Sequence, residues 1–269
     1  MGAKNKELKY TGTAPVNDDN WQKRVLLFTP SRGLIRAEWV QARYGQIIPT
    51  NWSMVEMQQF VSPHMPIAYQ LADAQNLMAK AVVEGDYEWV IYLEDDNVIP
   101  PDGIVRFNEY MKKGDVPIVS GVYWTKGEPS EPLIYRGRGN SYYSDWKMGD
   151  LVWCSGMPFG FRLEHASFIK EAWKNSPEYN VGGTITRRVF EQPNRMWFNE
   201  EKGGMEATRG TTDLAWCKRI VDEDLFNKCG FPEIAKKEYP FLVDTNIFVK
   251  HIDQNGRQYP LQIPKEYLP

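Results

Sequence analysis

Short apolar runs alternate with helix-period stretches along the first half of the chain. "RVLLFTPSRG" (24–33) is an apolar run closed by proline and glycine, which predicts a buried first strand followed by a loop. "IPTNWSMVEMQQFV" (48–61) is read as a second strand. In "PIAYQLADAQNLMAKAVVEG" (66–85), Ile67, Leu71, Ala74, Leu77, Met78 and Ala81 recur at three- and four-residue steps, predicting a helix stopped by Gly85. "YEWVIYLE" (87–94) predicts a strand, "PDGIVRFNEYMKKG" (101–114) a helix opened by proline and closed by glycine, and "VPIVSGVYW" (116–124) another strand. Strands alternating with helices imply a mostly parallel sheet in an α/β domain.

Beyond Trp124 the pattern loosens. Residues 125–150, rich in Gly, Pro, Ser and Asn, are read as a surface excursion or β-hairpin. "LVWCSGMPFGFRLEHASFIKEAW" (151–173) predicts a strand, a glycine-rich turn and a helix. "TTDLAWCKRIVDEDLFNKCG" (211–230) predicts a further helix, and "FLVDTNIFVKHID" (241–253) a last strand ending in His251, Ile252 and Asp253. No internal repeat or low-complexity tract is present.

A length of 269 residues is enough for one large α/β domain with a sizeable core, and 42% hydrophobic with 25% charged residues is the composition of an ordinary globular protein. The net charge of -3, with no long Lys/Arg run, gives no footprint for nucleic acid or an anionic membrane. Cys154, Cys217 and Cys229 are odd in number and lack CxxC spacing, so neither a disulfide framework nor a thiolate zinc site is expected, and a reducing, cytoplasmic setting fits. No stretch has the roughly 18 apolar residues of a transmembrane segment. Aromatic residues reach 13%; flat rings serve ordinary cores and also stack on apolar sugar faces.

The candidate chemistry lies in "VIYLEDDNVIPP" (90–101), where an apolar strand runs into Glu94, Asp95 and Asp96. Acids at the carboxyl end of a parallel strand sit where ligands bind in open α/β sheets, and three adjacent carboxylates call for a compensating positive charge. A divalent cation carrying phosphates satisfies that need. Helix capping or a solvated turn is the plainer reading of the same acids. In an extended segment Glu94 and Asp96 point to one side and Asp95 to the other.

"YLEDDNVIPPDGI" resembles the metal-motif element of GT-A fold glycosyltransferases, especially those like glycosyltransferase family 2, in which an apolar strand ends in a DxD-type motif followed by a hydrophobe and proline. Glu94 stands where an Asp is usual, which leaves open whether Glu94 or Asp95 partners Asp96. The resemblance implies a GT-A (Rossmann-like) single domain over 23–253, with a nucleotide-sugar-binding half (23–124) and a smaller acceptor-binding half (125–253), between a flexible leader (1–22) and a C-terminal tail (254–269). It implies Glu94, Asp96 and a late histidine, His251, as ligands to Mn²⁺ or Mg²⁺. "FTPSRG" takes the place of the loop that holds the nucleotide, which puts forward Thr29, Pro30, Ser31 and Arg32; Gln75 and Asn76 stand where the family has an Arg-Asn pair, and Asp95 joins the nucleotide-binding set.

On the acceptor side, "GTTDLAWCKRI" resembles the segment in which an acid opens a helix facing the acceptor. Asp213 is thereby the expected catalytic base, although Thr-Thr-Asp also suits a helix cap. In "WCSGMPFGF", Gly156 and Gly160 give close approach and Trp153 or Phe159 a stacking wall for donor or acceptor sugar; a core Trp and Phe beside a turn is the structural alternative. Residues 180–210, which carry Arg187, Arg188 and Arg195, are read as a loop able to close over the donor, or as an ordinary surface loop. The implied function is a metal-dependent transfer of sugar from a UDP- or GDP-sugar to an acceptor hydroxyl, with inversion. The acceptor is a glycan, a lipid-linked precursor, a protein or a small molecule. A sugar-phosphate nucleotidyltransferase and a non-catalytic carbohydrate-binding protein are the alternatives.

Overall fold

A computed structural model of the chain describes residues 24–52, 56–57, 60, 63–137 and 142–269, so the leader expected at 1–22 lies outside the described residues. The strands are β1 (Val25–Phe28), β2 (Trp89–Leu93), β3 (Asn97–Val98), β4 (Ile118–Val122), β5 (Leu151–Cys154), β6 (Phe161–His165), β7 (Glu178–Val181), β8 (Thr184–Arg187), β9 (Asn194–Asn199), β10 (Gly204–Arg209), β11 (Phe241–Phe248), β12 (Lys250–Ile252) and β13 (Gln258–Tyr259). The principal helices are α1 (Ala37–Tyr44), α2 (Leu71–Gly85), α3 (Gly103–Lys113), α4 (Ser167–Asn175) and α5 (Thr212–Asp222).

The central sheet has the order β1-β2-β6-β4-β11-β5. β1 pairs in parallel with β2, and β4 with β11, while β6 runs antiparallel between β2 and β4 and β5 runs antiparallel at the edge. Four of the six strands therefore point the same way, the mostly parallel α/β sheet expected from the alternation of strands and helices.

β1 and β2 read as continuous apolar runs because both faces of the sheet are covered. Val25, Leu27, Trp89, Ile91 and Leu93 enter one core with Trp39 of α1 and Ile104, Phe107 and Met111 of α3. Leu26, Phe28, Val90 and Tyr92 enter the other with Ala74, Met78 and Val82 of α2, Phe168 and Ile169 of α4, and Trp216 and Ile220 of α5. The resulting helix-sheet-helix sandwich holds the carboxyl ends of β2 and β4 on the same side.

Four expectations are corrected. Among the described residues of 48–61 no strand forms: Glu56, Met57 and Phe60 are helical, and the buried Trp52, Glu56 and Phe60 recur every fourth residue, a helix period rather than a strand period. The left-handed stop of α2 is Asp86 (φ 54°), one residue after Gly85. The segment after the glycine-rich turn is the central strand β6, and helix α4 begins only at Ser167. Arg162 and Glu164 disguise this strand, because both are fully buried as an ion pair at 2.7 Å and Trp216 Nε1 donates to Glu164 at 3.0 Å. Finally, 180–210 is built as two antiparallel hairpins, β7/β8 and β9/β10.

The described part of 125–150 forms only isolated bridges, but Ile134 and Trp146 are buried, with Trp146 stacked on Tyr267 at 4.3 Å. Among the described residues no helix is long and apolar enough to cross a membrane, and all three cysteines are free.

Candidate metal and nucleotide site

After Leu93 the chain turns, closed by Asn97 N donating to Glu94 O at 3.2 Å. The acids thus occupy a turn rather than extended backbone. The Glu94 main chain is fixed on both sides: its N donates to Gly160 O at 2.9 Å, and its O accepts from Trp39 Nε1 at 2.9 Å. β3 then pairs antiparallel with β12 in a register that sets His251 opposite Asn97, and Ile252 N donates to Asp96 O at 2.8 Å. This pairing carries residue 251 to residues 94–96. One ligand atom from each of Glu94, Asp96 and His251 lies within 4.8 Å of the others, with His251 Nε2 at 4.0 Å from Asp96 Oδ1.

The donor set suits a divalent cation. His251 Nδ1 lies 2.6 Å from Trp124 O; a carbonyl only accepts, so Nδ1 carries the proton and Nε2 turns its lone pair towards the acids. Burial pushes His251 down to about 4, against the pull of Asp96, so the ring is neutral at physiological pH. Burial, reinforced by the Asp96 and Asp213 carboxylates, lifts Glu94 well above the usual carboxylate range. Two carboxylates and a neutral imidazole could hold Mn²⁺ or Mg²⁺, and the nitrogen favours Mn²⁺. Tyr123 supports the set from below, edge-on to His251 at 4.8 Å and accepting from Gly160 N at 2.6 Å.

Asp95 faces away from this set, towards the loop after β1. Its Oδ2 accepts from Arg32 N at 3.3 Å, and its carboxylate also bonds the Ser31 side chain. Ser31 Oγ in turn accepts from Gly33 N at 3.0 Å, while Thr29 N and Ser31 N, flanking Pro30, donate to His64 O and Pro66 O. Asp95 therefore joins the 29–32 loop to the acidic turn. Gln75 and Asn76 lie deeper, fully buried on α2. The Asn76 amide donates to Tyr179 Oη at 2.8 Å and Phe190 O at 2.9 Å and accepts from Phe190 N at 2.8 Å, so it clamps the 179–190 region to the helix. Among the described residues the buried Gln75 amide meets no hydrogen-bond partner.

Asp213 sits in the first turn of α5, its Oδ1 accepting from Leu214 N at 2.8 Å. Burial raises its proton affinity, partly offset by a bond from the Thr211 side chain. Its charge acts on both Glu94 and Tyr123, raising the proton affinity of each. Gly156 lets α5 approach, since a Cβ there would come 2.7 Å from Leu214 Cδ2. A cavity of about 380 Å³ runs along the length of α5, lined by Gly156, Leu214, Lys218, Val221, Phe226 and Lys237; Asp213, Glu94, Asp96 and His251 do not line it. At Gly160 a Cβ would fall 2.3 Å from Tyr123 Oη and 2.7 Å from Asn97 Nδ2, so the glycine admits the two side chains that brace the acids. Trp153, on edge strand β5, carries the Lys237 ammonium 4.2 Å from its ring centroid.

Three residues of the site had no assigned role in the sequence reading: Asn97, whose Nδ2 donates to Asp96 Oδ1 at 2.9 Å, Tyr123, and Lys126, whose ammonium pairs with Asp96. Their signal is position, for each follows the carboxyl end of β2 or β4, two strands running the same way.

No family model and no curated protein matches the chain. Among solved structures it is similar to A197 from STIV, at 13% identity over 86% of each chain with a TM-score of 0.47. It is similar to TarS from S. aureus at 10% identity, over 57% of this chain and 30% of that one, with a TM-score of 0.32. A protein from Entamoeba histolytica assigned as a UDP-N-acetylglucosamine pyrophosphorylase matches at 10% identity over 72% of this chain and 71% of that one, with a TM-score of 0.33. At these scores the functional reading rests on the site itself.

Proposed function

We propose that the chain is a glycosyltransferase of GT-A type that uses a divalent cation and a nucleotide-sugar donor, a UDP- or GDP-sugar, with inversion at the anomeric carbon. The observation that carries this reading is the convergence of Glu94, Asp96 and His251 within 4.8 Å at the end of β2, with the Asp213 charge acting on Glu94 and Asp95 tied to the loop after β1. Glu94, Asp96 and His251 would hold Mn²⁺ or Mg²⁺, which when bound supplies positive charge to the departing diphosphate. Ser31, Arg32 and Asp95 offer hydroxyl, amide and carboxylate groups to the nucleoside.

Asp213 accepts the proton of the acceptor hydroxyl as its oxygen bonds to the anomeric carbon and the bond from that carbon to the diphosphate oxygen breaks. Burial suits the carboxylate to this task by raising its proton affinity towards the working pH.

A thermal-shift panel of UDP-, GDP- and CMP-sugars, with and without Mn²⁺, tests the reading. Metal-dependent stabilisation by one nucleotide sugar, abolished in Asp96→Ala and kept in Asp213→Asn, is expected. Stabilisation only by a nucleoside triphosphate with a sugar phosphate would mark a nucleotidyltransferase. No response at millimolar ligand would contradict both.

A further inference from the structure

Asp96 already faces a cation within the chain. Lys126, just beyond the end of β4, sets its ammonium on Asp96 Oδ2 and opposes the rise in proton affinity of both Glu94 and Asp95. The loop that carries it is closed firmly at its base: Thr125 N donates to Glu131 O at 2.9 Å, Ser130 Oγ to Thr125 O at 2.8 Å, and Leu133 N to Tyr123 O at 2.9 Å. Towards its tip, Glu128 pairs with Arg257, next to the β12/β13 hairpin that bears His251. Both ion pairs are open to solvent, with side chains 33% and 36% exposed for Lys126 and Asp96 and 43% and 59% for Arg257 and Glu128. Such pairs exchange readily with solvent and other ions. The loop is therefore anchored at its base by backbone bonds, while Lys126 and Glu128 meet the site through exchangeable ion pairs.

We propose that Lys126 is the resident counter-cation of Asp96, which a divalent cation must displace to bind among Glu94, Asp96 and His251. The inference rests on the metal reading above and adds to it that metal binds this site by exchange. Lys126 sits on Oδ2, whereas Oδ1 is the oxygen that faces His251 Nε2; two cations on the two oxygens of one carboxylate repel each other at close range, so metal binding drives the ammonium off. Freed from Asp96, the ammonium stays near the mouth of the site, because the loop base does not depend on it.

The test is Mn²⁺ binding to the full chain in the absence of nucleotide, followed by the electron paramagnetic resonance signal of free Mn²⁺. Lys126→Met keeps the alkyl stem and removes the charge; Lys126→Arg keeps the charge. Removing an exposed competing pair is expected to tighten Mn²⁺ binding roughly fivefold in Lys126→Met, with Lys126→Arg near wild type and both variants melting like wild type. Equal or weaker binding by Lys126→Met, or tightening by Lys126→Arg as well, would overturn the exchange while leaving the metal site in place. Absence of Mn²⁺ binding by every form, wild type included, would overturn the metal site and the exchange with it.

Discussion

Gly160 is the residue on which the site's geometry is most exposed to a one-carbon change. In Gly160→Ala the added methyl would lie 2.3 Å from Tyr123 Oη, 2.5 Å from Tyr123 Cζ and 2.7 Å from Asn97 Nδ2. Tyr123 is 2% exposed and Asn97 0%, so neither can swing into solvent. Overpacking of this kind costs about 1–3 kcal/mol, and displacing Tyr123 also forfeits its 2.6 Å bond from Gly160 N, worth about 1 kcal/mol. The combined destabilisation is roughly 2–4 kcal/mol, or about 5–10 °C of melting temperature for a domain of this size. Because Tyr123 braces His251 and Asn97 bonds Asp96, the variant should also bind Mn²⁺ more weakly than wild type at a temperature where both are folded. Differential scanning calorimetry and Mn²⁺ titration check the two effects. A variant that melts within 1 °C of wild type with unchanged Mn²⁺ affinity would refute the argument that this glycine is fixed by Tyr123 and Asn97.

Asn76→Ala strands Phe190 N and O, while Tyr179 Oη keeps its bond to Asp73 Oδ1; it should cost about 2–4 kcal/mol in urea unfolding and leave Mn²⁺ affinity intact, whereas a loss of nucleotide binding without a loss of stability would show a direct ligand role. Glu164→Gln leaves the Arg162 cation buried without its counter-charge, for an expected cost of about 3–5 kcal/mol; an unchanged urea midpoint would count against the pair as a structural element. Burial lowers His165 to about 4, below its unfolded value of about 6.5. The unfolded chain therefore gains a proton first on acidification. The contribution of neutral His165 is complete above pH 6.5 and is lost as the pH falls towards 4, by on the order of 3 kcal/mol. Urea unfolding at pH 7 and pH 4.5 should show a smaller loss in His165→Asn than in wild type, and equal losses would contradict this assignment.

The fold was legible wherever burial followed composition. β1, β2 and β4 are apolar runs because the sheet is covered on both sides, and α3 lies between its proline and glycine signals. β6 was not legible, since Arg162 and Glu164 neutralise each other inside the core and so defeat a pattern that treats charge as exposure. Glu56, Met57 and Phe60 are helical where the sequence suggests a strand, because the four-residue spacing of Trp52, Glu56 and Phe60 includes a buried acid. In the site, the acids stood out as an acidic run at a strand end. The resemblance supplied His251, but its position beside Asp96 depends on the β3/β12 register, a long-range pairing. Lys126 was hidden for a similar reason: its loop meets Asp96 only because β4 and β2 end on the same side of the sheet.

The central claim is that Glu94, Asp96 and His251 bind one divalent cation together. Pulsed electron paramagnetic resonance of the Mn²⁺-loaded chain measures this directly through the coupling of the metal to a ligand nitrogen. One bound Mn²⁺ with a single imidazole nitrogen coupling is predicted, the coupling lost in His251→Ala and the binding itself lost in Asp96→Ala. Unchanged Mn²⁺ binding in Asp96→Ala, or a nitrogen coupling that survives His251→Ala, would contradict the account.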